Sequence, residues 1–356
     1  MLFENRHLRP QPNAPFGRVM VAKTTHLGDL VISLPLASAI KRRDPGCTVV
    51  YLTNRATADV ARHCRDIDEV YGLPETTDEL VALLAALKID IFVQVNVAHW
   101  LAKAAFDAGI PIRIGTMFRY YNYRFCTHLV ANSRSYAGMN KRQLDLQYLR
   151  PLGICATDWP EVLALSRCAR PVVETTCSTL RPRQFANQRH TIVISASLVT
   201  ARGHQWPLEA YSELIRSFDP DKFHWFVCGI SSERDSLTPL LAAHQNDSNV
   251  TDLVGKLSLT DFMAFIGECD GLIAGSTGPV HLAAAMGIHT LGLYSSSRSD
   301  IRRWAPVGPR ASVIYSNQRC TGISGARGAN AMACPCIVAI TPERVAQRVQ
   351  SWFQKP

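Results

Sequence analysis

Short apolar runs alternate with amphipathic segments along most of the chain, and this alternation predicts strands that are followed by helices. The first run, residues 18–23, precedes apolar residues at helical spacing from Leu30 to Ile40. The same strand-then-helix order returns after residue 190. Such alternation is typical of parallel sheets with helices on both faces. We therefore predict an α/β fold of the doubly wound, Rossmann-like type.

The individual elements follow from the same periodicity. The predicted strands are residues 18–23, 48–53, 89–95, 113–115, 191–195, 224–228, 271–274 and 290–294. The predicted helices are residues 30–43, 80–87, 141–152, 208–218, 259–268, 280–286, 342–353 and one that starts at Ser232.

A proline-rich, weakly periodic stretch at residues 155–188 interrupts this alternation, and 356 residues exceed one ordinary hydrophobic core. We therefore predict two domains. The predicted bounds are a flexible leader at 1–16, an N-terminal domain at 17–165, a linker at 166–189, a C-terminal domain at 190–340 and a final helix at 341–356. The leader places charges and prolines before any apolar stretch, so we expect no signal peptide and a cytoplasmic protein.

Charge is unevenly distributed along the chain. The net charge is +9, and residues 103–150 alone carry eight basic side chains against two acidic ones, interleaved with aromatic residues. Such a surface suits an anionic partner with an apolar or ring-bearing part, either an acidic glycolipid at a membrane or a nucleic acid. The alternative is a solvated basic face whose aromatic residues lie in the core. No nucleic-acid-binding motif accompanies the charge, so we expect no nucleic-acid partner.

Only three of the eleven cysteines cluster in the sequence, namely Cys320, Cys334 and Cys336. Three thiols with a C-x-C pair could hold a metal ion, but structural zinc sites more often repeat a C-x2-C spacing. We therefore interpret these residues as ordinary thiols of a C-terminal loop, and we predict neither a metal nor any other cofactor.

The pair Gly28-Asp29 lies where the first predicted strand gives way to its helix, and we expect Gly28 to allow a close turn of the backbone there. A carboxylate at the carboxyl end of a strand can accept a proton from a substrate hydroxyl as a general base. Alternatively, Asp29 only caps the helix. No G-x-G-x-x-G follows the strand, which argues against a dinucleotide site and against an oxidoreductase.

A second strand–loop–helix unit contains Ser276, Thr277 and Gly278, with His281 one turn into the helix. Hydroxyls and backbone N–H groups at a helix N-terminus can bind a diphosphate without a metal, although a lone histidine there is often structural. A third such loop, residues 195–207, contains Arg202 and His204, which could pair with phosphate oxygens. The strand–loop–helix segment around Asp29 and the one around Thr277 together predict a nucleotide-sugar site in a cleft between two domains.

Three longer segments carry a resemblance to a known family. They are KTTHLGDLVISLPLASAIKRRDPG from Lys23, HQWPLEAYSELI from His204 and GSTGPVHLAAAMGIHTLGLY from Gly275. Their order and spacing, with shorter matches at residues 108–115, 149–153 and 340–345, resemble the ADP-heptose:lipopolysaccharide heptosyltransferase family over about residues 17 to 350. The resemblance implies the GT-B fold, in which two Rossmann-like domains face a central cleft and the second domain holds most of the donor. It also implies inverting, metal-independent transfer of a heptose to the lipopolysaccharide core.

The resemblance assigns roles to individual residues. Asp29 matches the catalytic base, and Thr277, Gly278 and His281 match the donor-binding signature. The predicted donor-binding set is Ser195, Ser197, Arg202, His204, Ser276, Thr277, Gly278 and His281, and the predicted acceptor-binding set is Lys23, His26, Gly28, Arg119 and Arg124.

Three positions depart from the family pattern. Ser276 stands where members often have Asp, His204 where many have Lys, and Arg142-Gln143 where His-Glu is frequent. The expected partners are an ADP-sugar donor and an anionic, lipid-linked core oligosaccharide, with peripheral contact at the cytoplasmic face of the inner membrane. Two alternatives stay open: the same fold with another nucleotide sugar or with a protein or other glycan acceptor, and a catalytically silent binding relative.

Overall fold

The computed structural model describes residues 15–132, 139–155, 182, 189–196, 205–295, 298–320 and 334–354. The chain divides into two compact units, residues 1–170 and 171–356. Each unit contains one six-stranded parallel sheet with helices, so the α/β, doubly wound class is confirmed. The predicted linker lies almost entirely outside the described residues, and the predicted domain bounds stay predictions.

The first unit contains strands β1–β6 in the order β3-β2-β1-β4-β5-β6. These strands are Arg18–Lys23, Thr48–Thr53, Glu69–Gly72, Ile91–Gln94, Ile112–Thr116 and His128–Val130. Its helices α1–α7 are Leu27–Ser33, Pro35–Arg43, Ala58–Arg62, Thr77–Ala86, His99–Asp107, Asn122–Phe125 and Lys141–Leu146, with 3-10 turns at Arg55–Thr57 and Gln147–Leu152.

The order of this sheet reverses next to β1, which pairs with β2 on one side and with β4 on the other. All side chains of β1 after Arg18 are buried, because helices cover both faces of a parallel sheet. One core cluster joins Met20 of β1, Phe92 of β4 and Leu80 of α4. In such folds, ligands bind outside the carboxyl ends of the strands where the order reverses. The segment that follows β1 lies at that point.

The second unit repeats this topology with strands β7–β12 in the order β12-β11-β10-β7-β8-β9. These strands are His190–Ser195, Phe223–Cys228, Val250–Asp252, Gly271–Gly275, His289–Leu293 and Ala311–Ile314. Its helices α8–α14 are Leu208–Arg216, Arg234–Ala243, Leu259–Glu268, Gly278–Met286, Arg298–Trp304, Pro335–Val338 and Pro342–Gln350, with a 3-10 turn at Ser231–Glu233. Here the order reverses between β7 and β10.

The core of the second unit draws on residues that are far apart in the sequence. Trp206 is buried, and its indole Nε1 donates to the backbone oxygen of Ile340 over 2.8 Å. The Trp206 ring also meets Tyr211 of α8 edge-on, with the ring centroids 4.7 Å apart. Val345 and Val349 of α14 lie in the same cluster. The last helix is therefore part of this core and not an appendage to it.

Several predicted bounds are wrong in detail. The helix predicted over residues 30–43 is two helices, α1 and α2, because Pro35 cannot donate a backbone hydrogen bond and begins a new helix. Phe16 was assigned to the flexible leader, but its side chain is buried and its backbone N–H donates to Asp44 over 2.6 Å. The helix predicted over residues 141–152 is α7 followed by a 3-10 turn, which ends at Gly153 with a φ of 74°.

Candidate functional site

Asp29 lies in the first turn of α1, directly after the carboxyl end of β1. The helix N-terminus favours a negative charge at this position. His26, and not Asp29, occupies the N-cap position of the helix. The Asp29 side chain is 23% exposed, and its Oδ1 accepts a hydrogen bond from Lys23 Nζ over 3.0 Å. The nearby loop is fixed to the end of β4, because Asn96 Nδ2 donates to Thr24 Oγ1 over 2.9 Å. Asp29 is thus a held carboxylate that solvent can still reach.

Lys23 connects Asp29 to a second, fully buried carboxylate. Lys23 Nζ lies 3.9 Å from Oδ2 of Asp145, and Lys141 forms an ion pair with Oδ1 of the same Asp145. Burial works to lower the pKa of Lys23, but the carboxylates of Asp145 and Asp29 outweigh it and raise that pKa. Burial lowers the pKa of Lys141, with Asp145 opposing the shift. We call Asp29, Lys23, Asp145 and Lys141 the charge network.

Sequence reasoning missed two members of this network. Lys141 and Asp145 counted there only as two of the charges of residues 103–150, and neither pairing nor burial was predicted for them. The available signal was the i, i+4 spacing of a Lys and an Asp on one helix, which pairs side chains but does not reveal burial. Only the packing of α7 against α1 and α2 brings Asp145 to Lys23.

The structure places the predicted acceptor residues near β1 in different surroundings. Lys23 is only 3% exposed, and its ammonium lies against the carboxylates of Asp29 and Asp145. His26 is exposed. Gly28 was expected to allow a close turn of the backbone, but it is buried inside α1 and does not have a positive φ. That expectation for Gly28 is wrong, because the residue lies within the helix and not in the turn before it.

The basic stretch divides into an exposed part and a buried part. Arg142 is buried, and burial lowers its pKa to about 10. Arg113 is half-buried and donates to the backbone oxygen of Phe125 over 2.6 Å. Arg119 and Arg124, in contrast, are exposed in the segment between β5 and β6. We call residues 118–124, which include the first residues of α6, the aromatic loop; in it Phe118 is 52%, Tyr120 86% and Tyr123 59% exposed, whereas Asn122 is buried.

In the second unit, the predicted donor residues that the structure describes lie near the point where the sheet order reverses. Ser195 ends β7 and is paired in register with Ala274 of β10. Ser276 and Thr277 follow β10 and lead into α11, whose first residue is Gly278. Parallel strands end at one edge of a sheet, so Ser195 and the segment after β10 are neighbours at that edge.

Thr277 has an unusual environment for a residue that precedes a helix. It is the N-cap residue of α11 and is only 6% exposed, yet its side chain forms no capping hydrogen bond. Its buried Oγ1 has no hydrogen-bond partner within the described part of the chain. Buried polar atoms are normally satisfied, so this oxygen indicates a place for a ligand. His281 is buried one turn further along α11.

Three of the predicted donor-binding residues, Ser197, Arg202 and His204, lie outside the described residues. Their assignment stays a prediction.

Cys320, Cys334 and Cys336, interpreted from the sequence as loop thiols, come together in the second unit. Cys334 and Cys336 are buried at α13 and not exposed in a loop. Within the described ranges, every helix is too short or too polar to cross a lipid bilayer.

Comparisons with known proteins agree with this architecture. Residues 141–325 match the family described as glycosyltransferase family 9 (heptosyltransferase). The chain is 21% identical over 359 aligned residues to lipopolysaccharide heptosyltransferase 2 of Escherichia coli K12, and the alignment covers 94% of this chain and 98% of that protein.

Solved structures show the same fold. ADP-heptose lipopolysaccharide heptosyltransferase II of Escherichia coli matches with a TM-score of 0.75 at 18% identity, over 94% of this chain and 98% of that one. A family 9 glycosyltransferase from Veillonella parvula matches with a TM-score of 0.76 at 16% identity, over 95% of this chain and 97% of that one. The predicted GT-B type of fold is therefore confirmed.

Proposed function

The chain belongs to glycosyltransferase family 9, the heptosyltransferase family, and from this premise we propose that it transfers a heptose from ADP-heptose to an anionic, lipid-linked lipopolysaccharide core acceptor. The transfer inverts the anomeric centre and needs no metal. The observation that carries the proposal is the position of Asp29, a solvent-accessible carboxylate at the carboxyl end of β1, where this fold type places its reacting groups.

Asp29 serves as the general base in this proposal. The carboxylate accepts the proton of the acceptor hydroxyl while the acceptor oxygen attacks the anomeric carbon. The new glycosidic bond forms as the bond between the anomeric carbon and the diphosphate oxygen breaks, and ADP leaves with that electron pair. Lys23 engages Oδ1 of Asp29, and among the described residues no other side chain hydrogen-bonds to this carboxylate. Oδ2 is therefore the oxygen that receives the proton.

The donor diphosphate is assigned to the N-terminus of α11. Pro279, the second residue of this nine-residue helix, has no N–H group, so the first-turn donors without a partner inside the helix are the backbone N–H groups of Gly278 and Val280, and these favour an anion. The buried Thr277 hydroxyl supplies an additional donor, and Ser195, Ser276, Gly278 and His281 complete the described set. Ser197, Arg202 and His204 are proposed to join them from the preceding loop. Backbone N–H groups at this helix stabilise the charge that develops on the leaving diphosphate.

The acceptor is assigned to the loops after β1 and β5, with His26, Gly28, Arg119 and Arg124 as proposed contacts and Lys23 acting through Asp29.

The aromatic loop also suits contact with the cytoplasmic face of the inner membrane. Aromatic rings are favoured at membrane interfaces, and arginines between them are attracted to anionic headgroups. Sedimentation with vesicles that contain anionic lipid tests this part. We expect Arg119→Gln/Arg124→Gln to lose binding, and the exposed, ion-paired controls Arg55→Gln/Arg62→Gln to keep it.

The first experiment is calorimetric titration with ADP, ADP-heptose and UDP, each with and without magnesium. We expect the adenine nucleotides to bind without metal. A preference for UDP would keep the fold but reassign the donor, and the exposed Ser276, which replaces a family carboxylate, is the residue on which such a change would depend. Binding of no nucleotide would favour a silent relative.

A pair of variants then separates the base from the donor site. Asp29→Asn is expected to abolish transfer and to leave ADP affinity within a few-fold. Thr277→Val removes one hydrogen bond to the donor, worth about 1–2 kcal/mol, and is expected to weaken ADP binding by about 5- to 30-fold. Transfer by Asp29→Asn at near wild-type rate would refute the assignment of the base.

A further inference from the structure

Three cysteine side chains converge in the second unit. The Sγ atoms of Cys320, Cys334 and Cys336 all lie within 4.8 Å of one another. The distance between the sulfurs of Cys334 and Cys336 is 3.1 Å, and that between Cys320 and Cys334 is 3.9 Å. None of the three forms a disulfide bond. Throughout the described ranges, no other three His, Cys, Asp or Glu side chains meet this closely as metal-ligating atoms.

The fold brings these thiols from two separate segments. Cys320 follows β12, and Cys334 and Cys336 flank Pro335 at the start of α13. Cys334 is 1% and Cys336 0% exposed, and both belong to the main core cluster of the second unit together with Ile337. Cys320 is partly buried and packs against that cluster. The sulfurs are therefore held in place by surrounding apolar packing.

The spacing of the sulfurs fits a shared metal ion. A tetrahedral ion with bonds of about 2.3 Å to sulfur separates its ligands by roughly 3.8 Å. The distances of 3.1 and 3.9 Å and the upper bound of 4.8 Å bracket this value. A disulfide bond, in contrast, would join only two of the three sulfurs, at about 2.05 Å. One central ion accounts for all three positions.

We propose that Cys320, Cys334 and Cys336 bind one thiophilic divalent metal ion, zinc or ferrous iron, as three thiolates. Thiolate ligands select these ions over magnesium or calcium. Each thiol releases its proton to solvent when its sulfur–metal bond forms, and a fourth ligand from outside the three cysteines completes the tetrahedron. The site shares no residue with Asp29 or with the segment around Thr277, so its role is structural.

Such an ion would tie the end of β12 to the segment that begins α13. That segment leads directly into α14, which is part of the same core. Metal binding to the folded state alone stabilises that state by a free energy that grows with the logarithm of the free metal concentration divided by the dissociation constant. The proposed role is thus a cross-link that holds the last helices of the second unit against its sheet.

Metal analysis of the full chain tests the proposal. The protein is purified under reducing, oxygen-free conditions, and its zinc and iron contents are measured by mass spectrometry. We expect about one equivalent of one of these ions in the wild type. Cys320→Ser and Cys336→Ser should lose it, whereas Cys155→Ser, a partly buried cysteine outside the cluster, should keep it. The element that is present at about one equivalent in the wild type and absent from the cluster variants is the bound ion.

A second measurement covers the case in which a serine variant fails to fold. Wild-type protein is stripped with a chelator and reloaded with Co²⁺, Zn²⁺ or Fe²⁺, and alkylation of each cysteine is followed by peptide mass spectrometry. We expect sulfur-to-cobalt charge-transfer absorption and protection of these three thiols in the reloaded protein. Metal-free protein that shows neither absorption nor protection on reloading would overturn the proposal. The nucleotide titrations are separate, so failure here leaves the proposed transfer activity untouched.

Discussion

Replacing Asp145 with Asn removes one negative charge from the middle of the charge network and changes little in shape. Asp145 is 0% exposed and stands between the ammonium groups of Lys23 and Lys141. After the substitution, two buried or partly buried ammonium groups share one remaining carboxylate, that of Asp29. An amide cannot neutralise either of them. The folded state then contains an uncompensated charge that the unfolded chain exposes to water.

Removing one partner of a buried ion pair typically costs about 3–5 kcal/mol of the free energy of unfolding. The chain offers a matched control in Lys103 and Asp107, which have the same residue types and the same i, i+4 spacing on α5. Their side chains are 49% and 33% exposed, so solvent screens the pair. Asp107→Asn should therefore cost about 0.5 kcal/mol or less.

The two variants and the wild type are compared by urea unfolding at pH 7, followed by far-UV circular dichroism at low and high salt. We expect the transition of the first unit to shift far more for Asp145→Asn than for Asp107→Asn, with salt changing only the smaller effect. Equal shifts in the two variants would show that the buried network contributes no more to the stability of the first unit than a surface pair does, which would refute the predicted effect of burial.

Three further predictions concern the second unit. Burial lowers the pKa of His224 to about 4, so the stability that its neutral form provides is complete above about pH 6.5 and is lost as pH falls toward 4, by up to about 3 kcal/mol. His224→Gln should flatten the dependence of unfolding free energy on pH in that window. An unchanged dependence would exclude this histidine as the cause. Trp206→Phe leaves the Ile340 oxygen without its donor and should cost about 1–3 kcal/mol in urea unfolding, with a cost near zero arguing against that bond. Gly287 ends α11 with a φ of 79°, so Gly287→Ala should cost about 1–2 kcal/mol, whereas Gly275→Ala, without a positive φ, should cost less.

The sequence predicted the interior strands of both sheets and missed all four edge strands. β3 and β6 border the first sheet, and β9 and β12 border the second. Each has only three or four residues, and most of their side chains are half-buried. Such strands lack the apolar, β-branched run that marks a strand buried on both faces. Their conformation depends on hydrogen bonds to a neighbour that local sequence does not contain.

The candidate site shows the same division. Asp29 and Thr277 could be predicted because each follows a strong interior strand whose carboxyl end is visible in the sequence. Asp145 and the convergence of Cys320 with Cys334 could not, because both depend on contacts between segments distant in the chain. Local patterns therefore predicted that Asp29 and Thr277 follow strand ends, and tertiary packing determined which side chains surround them.

The hydrogen bond from Trp206 to Ile340 spans 134 positions of the chain and has a consequence for biosynthesis. The first unit is complete once residue 170 has emerged from the ribosome, and domains generally fold as units during synthesis. The second unit cannot close its core before Val345 and Val349 have been made, so we expect it to fold only near the end of translation. A chain truncated after residue 340 should accordingly give a protease-resistant first unit joined to a second unit that is readily digested. Resistance of both units would show that the terminal helix is dispensable.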